Sequence, residues 1–115
     1  MKVDRELLKG STAILVLKLL DREPMYGYQI IKELETQSEG VFRFQEGTLY
    51  PVLHSLESQG WVDAFWDGNE GGRRRKYYRL TDSGRAHLEE KQHEWGLFSS
   101  AVNRVLGRWS SEFSR

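Results

Sequence analysis

The chain contains no cysteine, only two prolines and no net charge. Without cysteine there is no disulfide framework, no thiolate zinc site and no cysteine nucleophile, which fits a reducing compartment. The balance of 17 Lys/Arg against 17 Asp/Glu excludes a globally basic protein. Long apolar runs are also lacking. The longest, Ala13 to Leu17, stops at Lys18, and the N-terminus has no basic-then-apolar layout. The expectation is therefore no membrane partner and no signal peptide. Phosphate loops, Gly-x-Ser-x-Gly and paired-carboxylate motifs are missing. His54, His87 and His93 fall at none of the spacings of a ligand pair. These absences predict no metal, no cofactor and no enzyme.

What is there is aromatic and patterned. Four Trp, five Tyr and five Phe in 115 residues argue against disorder, and the length suits one compact body. Val3 to Leu20 reads as a helix, apolar almost all round from Ala13, which implies burial on all sides. Asp21-Arg22-Glu23-Pro24 ends it. A second helix is expected over Tyr26–Gln37. Val41-Phe42-Arg43-Phe44 follows, a connector alternating like a strand. The third helix runs from Glu46 or Thr48 to Ser58, with Leu49, Val52, Leu53 and Leu56 on one face. Pro51 fits if Thr48 caps this helix or if its first turn is distorted. Trp61–Trp66 and Arg73–Leu80 read as a hairpin across the glycine-rich turn Asp67–Gly72. Thr81 is a good cap for a last helix reaching Trp109. The fold class is mainly α with a β-hairpin: a winged helix-turn-helix over 1–80, and a dimerisation helix and tail over 81–115.

Length implies pairing. A helix over 82–109 spans about 42 Å, whereas a compact domain of this size is about 35 Å across. The last helix should project, and Leu88, Trp95, Phe98, Val102, Val105 and Trp109 form a seam that needs a second surface. A two-fold dimer satisfies it, each seam packing on its mate and on Leu15 and Leu19 of the mate's first helix.

The third helix carries Gly47, Pro51, His54 and Ser58 opposite its apolar face, flanked by Thr48, Tyr50 and Ser55. Small neutral groups of this kind can lie in a major groove and reach base edges. Of the positive side chains, Arg73, Arg74, Arg75 and Lys76 sit in a row directly after the glycine turn, placed to meet phosphate as a wing. The bland alternatives are a surface helix and a solvated turn. A further alternative is an interaction module whose wing binds an acidic protein surface, without sequence-specific DNA binding.

At Tyr26-Gly27-Tyr28-Gln29-Ile30, Gly47-Thr48-Leu49-Tyr50-Pro51-Val52-Leu53, Leu56-Glu57-Ser58-Gln59-Gly60 and Gly72-Arg73-Arg74-Arg75-Lys76-Tyr77-Tyr78-Arg79-Leu80-Thr81 the chain resembles the PadR-like family of bacterial winged-helix transcriptional regulators, in its branch with a short C-terminal region. The likeness covers roughly residues 5–108. It implies a cytoplasmic homodimer that binds an inverted repeat in double-stranded DNA and usually represses. By the same resemblance, Tyr26 and Tyr28 touch the DNA backbone, Thr48, Tyr50 and Pro51 face the groove, and Arg73 to Lys76 form the wing. Relatives answer to phenolic acids or planar aromatic drugs. Trp95, with Phe98 one turn on, stands where some place an aromatic platform; the alternative is that Trp95 only packs in the seam.

Overall fold

Pro24 and the polar residues before it stop the first helix where the sequence places the stop. In a computed structural model of the chain, whose described residues are 10–68 and 74–107, helix α1 spans Thr12–Leu20. Its Val16, Leu17, Leu19 and Leu20 are buried, whereas Ala13, Ile14 and Leu15 are only half covered. Burial is thus one-sided within the protomer. Strand β1 (Met25–Tyr26), helix α2 (Gly27–Gln37), helix α3 (Glu46–Ser58), strands β2 (Val62–Asp67) and β3 (Arg75–Leu80), and helix α4 (Asp82–Leu106) follow.

The hairpin is part of a larger sheet. β1 pairs antiparallel with β3, Met25 opposite Tyr78 and Tyr26 opposite Tyr77, so the order is β1-β3-β2 and the basic strand is central. On β2, Val62, Ala64 and Trp66 face Leu80, Tyr78 and Lys76 in turn. Alternation puts Met25, Val62, Tyr78 and Leu80 on the inner side, where they join Ile30, Leu34, Leu49, Leu53 and Leu56 in the core.

Two expectations need correction. Val41 to Phe44 forms no strand. Glu39 (φ 55°) and Gly40 (φ 85°) make a left-handed turn, and the Phe42 N–H donates to the Ser38 hydroxyl at 2.8 Å. Phe44 plugs the core and Phe42 packs against it, so the apparent alternation is two anchoring aromatics in an irregular connector. Thr48 does not cap the third helix. Gln45, extended at ψ 162°, holds that position, which puts Pro51 beyond the first turn. Proline has no N–H, so the Gly47 carbonyl cannot make its usual bond four residues on.

Helix α4 is fastened at its start. The Thr81 hydroxyl accepts from the Gly84 N–H at 3.0 Å and donates to the Gly60 carbonyl at 2.7 Å. Gly84 is buried against Trp61; a Cβ there would overlap the Trp61 carbonyl oxygen. His87 stacks on Trp61, ring centroids 3.5 Å apart, and Arg85 pairs with Asp21 at 3.1 Å. Leu88 is the last buried residue of the helix. Past it, among the described residues, α4 has no fully buried side chain, and the chain extends 56 Å along its long axis against 30 and 23 Å across. Gly107, left-handed at φ 95°, ends the helix short of the expected Trp109, which lies outside the described residues.

Candidate nucleic-acid interface

Because β3 is central, its alternation divides the basic residues between two faces. Lys76 lies on the inner side with Tyr78, its Nζ 5.5 Å from that ring. Arg74, just ahead of the strand, sits 5.6 Å over Trp66. Arg75 lies on the outer side, 4.7 Å over Tyr26. Among the described residues, no ion pair engages Arg74, Arg75 or Lys76. Arg79 differs, held by Asp63 at 2.9 Å.

These side chains meet the N-terminal end of α2 and the middle of α3 around an open cleft of about 400 Å³. Of the residues read from sequence as DNA-binding, the cleft gathers Tyr26, Tyr28, Tyr50, His54, Arg74, Arg75 and Lys76. Thr48 and Pro51 lie outside it, exposed on the neighbouring surface of α3. Arg73 falls outside the described residues. The cleft also contains Trp66 and Tyr78, which sequence reading treated only as strand residues. The period-two pattern Val62, Ala64, Trp66 was the available signal, since it carries Trp66 past the core toward the wing.

Tyr50 is half-buried at the junction of α2 and α3. Its ring lies so close over Gly27 that a Cβ there would overlap the phenol oxygen. Glycine at the start of α2 is what lets the two helices approach. Burial raises the Tyr50 phenol above its ordinary pKa, helped by the Glu46 carboxylate and by Tyr78. Burial likewise raises Tyr78, with Glu57 adding to it. Tyr28, by contrast, is exposed, with Lys32 5.9 Å from its ring.

The expected pairing seam separates into two groups. Leu19 (3% exposed) and Leu88 (2%) are not available to a partner, because both face the core of the chain itself. Leu15 and Val102 are half-buried, and Trp95, Phe98 and Val105 are exposed, at 50%, 60% and 85%. Leu97 and Leu106, outside the strict heptad, are exposed too. Trp95 and Phe98 line a second cleft of about 330 Å³ between α1 and α4, with Ala13, Ile14, Leu17 and His87. Their ring centroids are 5.8 Å apart, and Glu94 is paired with Lys91 at 3.2 Å.

Comparison with known proteins agrees with this layout. Residues 16–90 match the transcriptional regulator PadR-like family. The transcriptional regulator Rv3488 of Mycobacterium tuberculosis is 33% identical over 103 residues, covering 90% of this chain and 90% of that protein. A crystal structure of a PadR family transcriptional regulator from Eggerthella lenta is 40% identical with a TM-score of 0.76, covering 88% of this chain and 86% of that one. A transcriptional regulator from Clostridium thermocellum superposes with a TM-score of 0.81 at 27% identity, over 89% of this chain and 96% of that one.

Proposed function

This chain belongs to the PadR-like family of transcriptional regulators, and from that premise we propose that it binds an inverted-repeat operator as a homodimer and represses from the cytoplasm. The observation that carries the reading is the cleft in which Tyr50 and His54 from the middle of α3, the start of α2 and the cations at the start of β3 converge. α3 enters a major groove through the surface bearing Thr48, Pro51 and His54. The wing residues Arg73 to Lys76 meet the flanking phosphates, and Tyr26 and Tyr28 touch the backbone beside them. Residues 1–80 do the binding and 81–115 the pairing. Support for pairing comes from the apolar side chains that α4 leaves in water, Trp95, Phe98 and Val105 foremost.

Two recognition helices related by a two-fold axis reach successive major grooves, so half-site centres lie about 10 base pairs apart or a multiple of that. Inserting five base pairs between half-sites turns one by about half a turn and is expected to abolish tight binding in a mobility-shift titration. Tight binding that survives the insertion would refute a rigid dimer.

Release by a planar aromatic or phenolic molecule is the second part of the reading, carried by the α1–α4 cleft. Such a ligand stacks on Trp95 and Phe98 and acts by favouring a dimer geometry that mismatches the operator. Saturable quenching of tryptophan fluorescence by planar aromatics is expected in the wild type and absent in Trp95→Ala. Equal quenching in both would place the binding elsewhere.

A further inference from the structure

The outer face of the sheet, turned away from the core, carries a row of aromatic rings. Tyr26 of β1, Tyr77 of β3 and Phe65 of β2 lie side by side across three strands. Tyr26 meets Tyr77 edge-on at 5.4 Å, and Tyr77 stacks on Phe65 at 5.6 Å. A cation closes each end. Arg75 lies 4.7 Å over Tyr26, and Arg79 lies 4.5 Å over Phe65 while bound to Asp63. All three rings are half-buried. Cross-strand aromatic pairs stabilise sheets on their own account. That does not explain why both ends are occupied by arginines, nor why, among the described residues, a carboxylate pairs with Arg79 but none with Arg75.

We propose that this row is a rail that holds the Arg75 guanidinium ready for a DNA phosphate, with Tyr77 and Phe65 as positioning residues that never touch the nucleic acid. Arg79, tied to Asp63, anchors the far end, and the rings transmit that order to Tyr26. Tyr26 presents its face to Arg75, which no carboxylate pairs among the described residues. An arginine stacked before binding loses less rotamer freedom when it meets phosphate, so its contact is tighter without any added charge. The inference rests on the DNA-binding reading above and adds two residues which that reading leaves out.

The test is a double-mutant comparison on a labelled duplex of arbitrary sequence, about 30 base pairs long, titrated at several salt concentrations. Tyr77→Leu is expected to weaken binding about five-fold, the effect of ordering a long side chain on binding instead of beforehand. Its salt slope stays unchanged, because no charge is removed. Tyr77→Phe keeps the ring and binds as the wild type does. In an Arg75→Ala background, Tyr77→Leu has no further effect, because the rail then has nothing to hold. Equal weakening in both backgrounds would mean a purely structural role and would overturn the rail, as would undiminished binding by Tyr77→Leu. If Tyr77→Leu does not fold, Phe65→Leu supports the same comparison. A wild-type protein that ignores the duplex even at the lowest salt would instead overturn the reading of the wing cations as phosphate contacts, and the rail with it.

Discussion

Replacing Arg74, Arg75 and Lys76 together by alanine is expected to flatten the salt dependence of DNA binding. Each phosphate neutralised by a cation contributes about 0.9 to the slope of log affinity against log salt. Three cations per protomer make six in a dimer, so the slope should fall by about 5. Between 50 and 200 mM salt, a loss of roughly 10³-fold in the wild type would shrink to a small one. The effect is large because no ion pair among the described residues engages these three cations. Arg79→Ala is the control. Asp63 already neutralises that side chain at 2.9 Å, so its loss should leave the slope nearly intact. Fluorescence anisotropy across a salt series measures both. An unchanged slope in the triple variant would remove β3 from the phosphate contacts.

Gly84→Ala is expected to destabilise the protein severely although alanine is the better helix former. Helix propensity alone would favour the change by about 1 kcal/mol. The new Cβ, however, overlaps the Trp61 carbonyl and approaches within 2.8 Å of the Trp61 carbonyl carbon and 2.9 Å of the Leu80 Cδ1. The carbonyl is backbone and cannot rotate away, so the first turn of α4 must lift. That would break the Thr81 bond to Gly60 and separate His87 from Trp61. Overpacking of this kind costs about 1–3 kcal/mol or more, and the lost hydrogen bond to Gly60 adds about 1 kcal/mol. The net expectation is a fall in Tm of roughly 10–20 °C by calorimetry, since each kcal/mol moves a domain of this size by several degrees. An unchanged or higher Tm would mean that the helix docks with slack the structure does not have.

Most helices were legible because their apolar residues recur at helical spacing, and the hairpin because aromatic strands flank a glycine turn. Other features were not legible, each for a local reason. β1 has two residues, too few for a period to show, and only its pairing with Tyr77 and Tyr78 makes it a strand. Val41 to Phe44 imitates alternation because Phe42 and Phe44 point inward around an exposed Arg43, yet a serine hydroxyl and a left-handed turn hold the segment. The seam residues Leu19 and Leu88 were misassigned because a heptad reports which residues share a face, not which neighbour covers it. At the start of α4 that neighbour is the protomer itself. The wing was legible from charge alone. The rings beneath it were not, because Trp66, Tyr77 and Phe65 are ordinary strand residues until the register of three strands is known.

The free length of α4 has a mechanical consequence. From Leu88, its last buried residue, to Leu106 the helix forms an arm of about 27 Å at 1.5 Å per residue. Its root is riveted by Gly84, His87 and Arg85, so the body does not swivel on it. In a paired state, a change of about 10° in how two such arms cross displaces each body by about 5 Å, more than the 3.4 Å rise of one base pair. Small rearrangements among exposed side chains such as Trp95 and Phe98 are thereby geared up into movements as large as a step along DNA. The length of the arm fixes the gear ratio, and the close docking at Gly84 lets the body follow the arm.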